Sequence, residues 1–200
     1  MLREKVFINC PFDSDYNKYF QAIVFTIHFC GFESYCALEK SDSSDPRIEK
    51  IVKFMKTCRL SIHDISYVKL DPDTGLPRFN MPFELGLFIG AKKLGIPKQR
   101  NKECLIIDIE RYRFQIFLSD IAGQDIESYD SDVMKLIKVI RNWLKEKTKL
   151  PLPGYKKICN DYSLFLEYLL ETSEELGHDL DDLPYNDLKE ITIQWFKMKA

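Results

Sequence analysis

Short apolar runs alternate with amphipathic helical patterns along most of this chain. The runs predict four strands, at residues 5–10, 32–38, 60–65 and 104–109. Apolar residues spaced for one helix face predict helices at residues 16–30, 46–57 and 133–147. The last strand run is almost continuously apolar, as expected for a strand covered on both faces. This repeated order of strand and helix predicts an α/β fold with a parallel sheet flanked by helices.

A proline- and glycine-rich segment, residues 151–155 (PLPGY), is the clearest boundary in the chain. We therefore predict an α/β domain over residues 1–150 and a helical C-terminal extension over residues 151–200. The extension contains two helical patterns, at residues 161–176 and 183–199, around an acidic stretch at residues 177–182. We interpret that acidic stretch as a solvated turn.

Composition narrows the classes of partner. Apolar residues make up 45% and charged residues 30% of 200 residues, as in ordinary globular proteins. A formal net charge of -2 argues against nucleic-acid binding, which needs a clustered basic surface. No apolar run reaches the roughly 18 to 20 residues that span a bilayer, and the N-terminus has no signal-peptide pattern. The six scattered cysteines contain no C-x-x-C pair, so we expect no metal site and a reducing, cytoplasmic location.

One carboxylate stands in an otherwise apolar, glycine-containing helical pattern at residues 80–91. Pro82 suits an early helix position and Asn80 can cap the same end, which predicts Glu84 in the first turn. Ligands of open α/β sheets bind at this edge, beside the carboxyl ends of the strands. Gly86 and Gly90 leave a smooth stripe for a strand or a flat ligand. The alternative is that Glu84 only interacts favourably with the helix dipole.

The loops after the predicted strands supply further candidates, because ligand groups in a parallel sheet come from these loops. The loop after the first strand offers small polar groups and aromatic rings for a ribose and a base. Its candidate residues are Asn9, Cys10, Pro11, Phe12 and Tyr16. The loop after the second strand is polar and leads to Arg47, although Ser43, Ser44 and Asp45 also suit a helix cap.

The third strand ends in His63, Asp64 and Ser66. His63 is compatible with an ordinary strand histidine or with a functional one. A carboxylate at the end of a central strand, such as Asp64, is costly to bury unless it is hydrogen-bonded. Residues 110–115 contain two arginines that suit either a phosphate or a solvated helix start, and residues 119–125 form a polar loop that suits a ligand contact.

Several common chemistries are not supported by motifs. The chain has no G-x-S-x-G nucleophile elbow and no cysteine–histidine spacing typical of a protease. It has neither a P-loop nor a G-x-G-x-x-G phosphate loop, so we expect no bound cofactor of the usual glycine-rich kind.

Three segments resemble the bacterial TIR-like proteins, relatives of Toll/interleukin-1 receptor domains, and the nucleoside 2-deoxyribosyltransferases. These segments are residues 6–9 (VFIN), 62–66 (IHDIS) and 83–90 (FELGLFIG), and the last is the most specific. The resemblance covers about residues 5–145 and implies a flavodoxin-like or TIR-like fold. It departs from classical TIR enzymes before the glutamate, where Met81, Pro82 and Phe83 replace a Trp-Cys pair.

The resemblance implies that Glu84 acts at the C1′ carbon of a ribose and helps to break its bond to a base. A carboxylate can stabilise the oxocarbenium-like centre or attack it. By the same resemblance Asp64 contacts the base, the loop of residues 9–16 lines the pocket, and Ser66, Asn80 and Phe83 are further binding candidates.

The leading hypothesis is therefore hydrolysis of NAD to nicotinamide and an ADP-ribose product, as in effectors of bacterial antiviral defence. A second hypothesis is base removal or exchange on a nucleoside or nucleotide, as in deoxyribosyltransferases. A third is a non-catalytic module that senses a nucleotide or assembles with TIR-like chains. The resemblance also implies a homo-oligomer, since related sites are completed by a neighbouring subunit.

Overall fold

The structure is a computed structural model, and it describes residues 3–39, 44, 46–68, 70 and 75–199. Two of the expected cap residues, Ser43 and Asp45, lie outside the described residues.

Five strands form one parallel sheet in the order β2-β1-β3-β4-β5. The strands are β1 (Lys5–Asn9), β2 (Glu33–Cys36), β3 (Leu60–Asp64), β4 (Glu103–Asp108) and β5 (Glu127–Ser128). This order is that of flavodoxin-like sheets, so the predicted fold class is confirmed. The sequence did not predict β5, because two residues are too few to produce a periodic signal.

Six α-helices accompany these strands. They are α1 (Asn17–Phe29), α2 (Arg47–Thr57), α3 (Asn80–Leu94), α4 (Val133–Lys147), α5 (Tyr155–Glu175) and α6 (Tyr185–Lys199). Helix α5 begins before the predicted residue 161, because Ile158 and Cys159 extend its buried face toward the N-terminus. Within the described part of the chain, no helix is long and apolar enough to cross a membrane.

The chain divides into two compact units. The sheet unit contains Glu4–Pro11 and Tyr35–Ser131, and the helical unit contains Phe12–Ser34 and the chain from Asp132 onward. The predicted boundary near residue 150 falls inside the helical unit, between α4 and α5.

The core of the sheet unit fixes α3 through two apolar clusters. One joins Phe88 of α3 to Phe7 of β1 and to the buried face of α2. The other joins Leu85 of α3 to Ile65, which follows β3, and to Ile106, which lies in β4. Because α3 takes part in both clusters, packing holds its buried face against the sheet.

The core of the helical unit is aromatic. Phe25 of α1 lies with its ring centroid 4.9 Å from that of Phe165, 5.4 Å from that of Trp195 and 5.3 Å from that of Phe196. These tilted, edge-on and stacked aromatic pairs join α1, α5 and α6 and add to the stabilisation from burial.

A buried lysine closes the end of α2. Lys102 is only 2% exposed, and its Nζ donates hydrogen bonds to the carbonyl oxygens of Met55 and Cys58, the latter at 2.7 Å. The same ammonium group lies 4.7 Å from the centre of the Phe88 ring. A cation at this place satisfies carbonyl groups that the last helical turn leaves unpaired.

Replacing Lys102 with methionine should lower the free energy of unfolding by about 2 to 3 kcal/mol, because buried carbonyl groups lose their donor. Denaturant unfolding checks this, with Lys98→Met as the control, since Lys98 is an exposed lysine a few residues earlier. An equal effect of both substitutions would show that the carbonyl contacts of Lys102 contribute nothing.

Candidate functional site

The candidate site lies in the sheet unit, where β1 and β3 end side by side. The two strands pair in parallel with Asn9 opposite His63, so their last residues reach the same level. In parallel sheets this edge is where ligands bind.

Asn9 connects three elements through hydrogen bonds. Its Nδ2 donates to Nδ1 of His63 at 2.9 Å and to the carbonyl oxygen of Met81 at 2.9 Å. Nε2 of His63 in turn lies 2.9 Å from Oγ of Ser61. We name these four residues the Asn9 relay. It ties the end of β1 to β3 and to the first turn of α3.

The Asn9 relay fixes the chemistry of His63. Because Nδ1 accepts from Asn9, the proton of the neutral ring lies on Nε2, which donates to Ser61. Complete burial, together with the smaller effect of the Lys102 charge, lowers the pKa of His63 from 6.5 to about 3. His63 is therefore a neutral positioning group, which favours the structural interpretation over acid–base catalysis.

Glu84 lies on the buried face of α3, together with Met81, Leu85 and Phe88. Its side chain is 6% exposed. Burial raises the pKa of Glu84 from 4.5 to about 7, and the positive charge of Arg47 opposes this change. Among the described residues, none forms a hydrogen bond or ion pair with this carboxylate. Glu84 is thus a nearly buried acid whose charged form is disfavoured by burial.

The start of α3 differs from the prediction. Phe79 occupies the N-cap position with no side-chain hydrogen bond, and Asn80 is the first helical residue. Glu84 consequently falls just beyond the first turn, so neither the expected cap by Asn80 nor the expected first-turn position was correct. The side chain of Asn9 instead donates a hydrogen bond to the carbonyl oxygen of Met81 in the first turn. This bond does not cap a free N–H group of the helix.

The residue after β1 is a buried thiol. Cys10 is 3% exposed, and burial raises the pKa of its thiol well above 9.0. The negative charges of Cys36, Asp64 and Glu84 act in the same direction. The Cys10 thiol stays protonated and is not an activated nucleophile.

Asp64 and Ser66 form the turn that follows β3. Asp64 is fully buried, and its Oδ1 accepts a hydrogen bond from the backbone N–H of Ser66 at 2.8 Å. Oγ of Ser66 lies 3.2 Å from the hydroxyl of Tyr129, which donates to it. These bonds supply part of the compensation that a buried carboxylate requires.

The end of β4 carries an ion pair that joins this turn. Arg113 donates through Nε to Oδ1 of Asp108 at 3.0 Å and through Nη2 to the carbonyl oxygen of Ser66 at 2.7 Å. Desolvation raises the pKa of the Asp108 carboxyl, and the hydrogen bond from Arg113 opposes this shift. Arg113 therefore braces the loop after β3. It also begins a short 3-10 helix, Arg113–Ile116, after the exposed residues 110–112, as the expected solvated helix start requires.

The remaining candidates are distributed over both units. Pro11 is buried at the end of the sheet unit's first segment, and Phe83 is exposed on α3. Phe12 and Tyr16 belong to the helical unit. There Phe12 packs edge-on against Phe20 at 5.4 Å, and Tyr16 is 3% exposed beside Tyr19.

Sequence reasoning missed the residues that support the site. Asp108 ends a strongly apolar strand pattern, which is the same local signal that singles out Asp64. Tyr129 follows a strand too short to recognise, and no local pattern links Asn9 to Met81, which is 72 positions away.

The described residues contain no cluster of three or more histidine, cysteine or acidic side chains placed to hold a metal ion. A cavity of about 1030 Å³ lies in the helical unit, between α1, α4 and α5, and its lining does not include Glu84.

No protein family model, curated protein or solved structure matches this chain. The resemblance carried by residues 62–66 and 83–90 therefore remains a prediction.

The pKa of Glu84 makes a prediction about stability. The folded state holds a proton on Glu84 up to about pH 7, whereas the unfolded chain releases it near 4.5. Between these values the folded state binds more protons, so the free energy of unfolding falls as the pH rises. Glu84→Gln removes this loss and should stabilise the protein by on the order of 2 to 3 kcal/mol at about pH 8.

Urea unfolding of both proteins at about pH 4 and about pH 8 measures this difference. The two stabilities should be similar at the lower pH and should differ at the higher one. A glutamine variant that is less stable than the wild type at about pH 8 would mean that the carboxylate is well solvated or paired.

Proposed function

We propose that this protein is a nucleotide N-glycosidase that hydrolyses NAD to nicotinamide and ADP-ribose. The observation that carries the proposal is the nearly buried carboxylate of Glu84 on the face of α3 that packs on the sheet, with a pKa that burial raises to about 7. Acids with strongly raised pKa values at the ligand-binding edge of a sheet are candidates for catalysis.

The reaction suits a single carboxylate. The bond between C1′ and the pyridinium nitrogen breaks, and its electron pair neutralises the leaving nicotinamide. Water then adds to C1′ and releases one proton. The positive charge that develops on the ribose is stabilised by the ionised Glu84, and this attraction is stronger in a site of low dielectric constant. In an alternative mechanism, Glu84 attacks C1′ and forms a covalent ester, which water then hydrolyses to the same products.

Asn9 and Asp64 have distinct roles in this proposal. Within the described part of the chain, the Asn9 amide makes its two hydrogen bonds through Nδ2, and its Oδ1 would accept a hydrogen bond from a ribose hydroxyl. Asp64 would contact the base, as the resemblance implies, from a turn that Ser66 and Arg113 hold in place. Neither residue needs to exchange a proton.

The cellular setting is part of the same proposal. All six cysteines are thiols and five of them are buried, which suits a reducing cytoplasm. In that compartment the enzyme would deplete NAD, in the manner of the defence effectors that its sequence resembles.

Glu84→Gln should reduce the rate of NAD cleavage by on the order of a hundredfold or more, because the transition state loses its charge partner. The measurement is release of free base by chromatography from NAD and, separately, from deoxynucleosides. Glu49→Gln is the matched control, since Glu49 is an exposed glutamate of α2.

Each outcome distinguishes the hypotheses. Base release from deoxynucleosides alone would replace NAD hydrolysis with transferase-like chemistry at the same glutamate. No release from either substrate would favour the non-catalytic module. Equal rates of base release for wild type and Glu84→Gln would show that Glu84 takes no part in the reaction. If the proposal is right, kcat/KM rises with pH through about 7, where Glu84 ionises.

A further inference from the structure

The cavity of about 1030 Å³ in the helical unit has the size of a small-molecule site. Its walls come from the start of α1, the first two turns of α4, the middle of α5 and the short 3-10 helix Leu180–Asp182. The larger part of its lining surface is apolar, and the aliphatic members are Val133, Met134, Ile137, Leu166, Leu170 and Leu180. The cavity therefore suits a molecule with an aliphatic body.

Two hydrogen bonds hold the walls of this cavity together. The hydroxyl of Tyr162 in α5 donates to the carbonyl oxygen of Lys18 in α1 at 3.3 Å. Nδ2 of Asn17 in α1 donates to the carbonyl oxygen of Asp181 at 2.5 Å. The elements around the cavity are thus tied to one another, as in ligand sites that are largely formed before the ligand binds.

Gln21 is a nearly buried polar side chain in the lining. It is 7% exposed, and it shares one face of α1 with Asn17 and Lys18, which also line the cavity. In the described part of the chain, no residue forms a hydrogen bond or ion pair with the Gln21 side chain. An amide without a protein partner is costly in apolar surroundings. A ligand hydroxyl beside Gln21 would offer it both a donor and an acceptor.

The charged residues of the lining are exposed, and most of them are acidic. Three carboxylates contribute to it, those of Asp15, Glu167 and Asp181. Among the described residues that line the cavity, Lys18 is the one cation, and its ammonium group lies 4.9 Å from the centre of the Tyr19 ring. The rim is therefore complementary to a positive charge.

We propose that this cavity binds an aliphatic amine that also carries a hydroxyl group. The aliphatic body lies against the apolar lining, the hydroxyl meets Gln21 and the ammonium group lies at the acidic rim. Aliphatic amines are protonated at neutral pH, as the lysine side chain is. The lining shares no residue with the site of Glu84, so this inference does not rest on the proposed reaction.

Isothermal titration calorimetry of the full chain with 8-amino-1-octanol tests the proposal, because this probe carries an ammonium group, an aliphatic chain and a hydroxyl. Its dissociation constant should be below about 1 mM. Octylamine lacks the hydroxyl and should bind about threefold more weakly or worse. 8-Hydroxyoctanoate carries a carboxylate in place of the ammonium group and should bind at least roughly tenfold more weakly.

Two variants locate the binding site. Gln21→Leu should weaken binding of 8-amino-1-octanol to the level of octylamine and should leave octylamine binding unchanged, which also shows that the variant is folded. Glu167→Gln should weaken binding of both amines by about twofold or more, because the rim loses a negative charge. Glu174→Gln is the matched control, since Glu174 is an exposed glutamate of α5 outside the lining, and it should bind like the wild type.

Three results would each overturn the proposal. They are no binding of 8-amino-1-octanol by the wild type, equally tight binding of 8-hydroxyoctanoate, and affinities for the amines that neither Gln21→Leu nor Glu167→Gln changes. Circular dichroism checks the fold of each variant. If Gln21→Leu does not fold, the comparison of the three probes and the exposed substitution Glu167→Gln decide the outcome.

Discussion

The candidate site depends on one bridging side chain. Asn9 donates from the end of β1 both to His63 on β3 and to the carbonyl oxygen of Met81 in the first turn of α3. Without this bridge, the helix that carries Glu84 would be positioned by apolar packing alone, which sets the depth of a helix better than its exact placement along the strand ends. The bridge is itself held by the neutral His63 ring, whose other nitrogen is bound to Ser61.

Glu84 is the candidate catalytic residue on this helix. The same apolar packing that anchors α3 through Leu85 and Phe88 removes water from the carboxylate between them and raises its pKa to about 7. An acid in this state costs stability when it ionises. Proteins retain such groups where function requires them, and the cost is then part of the site rather than a defect of the fold.

The fold was largely predictable from the chain, because its elements have strong local signals. Helix α4 was predicted with its observed bounds, since Leu136, Ile137, Ile140 and Leu144 define one buried face. Local sequence patterns do not predict structure that depends on residues far away in the chain, or elements that consist of very few residues. The start of α3 has a plausible local cap in Asn80, yet its contact comes from Asn9, far away in sequence. Strand β5 has only two residues and is defined by its neighbour β4.

The same contrast between local patterns and long-range contacts applies to the candidate site. Glu84 and Asp64 were found because an acid in an apolar pattern is conspicuous, whereas Arg113 and Tyr129 become meaningful only once the loops after β3 and β4 are adjacent. Phe12 and Tyr16 belong to the helical unit, because the chain passes into that unit after Pro11.

The central claim is that burial of the Glu84 side chain moves the ionisation of its carboxylate to near neutral pH. The most direct measurement is an NMR titration of protein labelled with ¹³C at glutamate carboxyl carbons, with the Glu84 resonance assigned by its absence in Glu84→Gln. The account predicts a midpoint near pH 7 for this one resonance. A midpoint close to 4.5, the ordinary value, would contradict it.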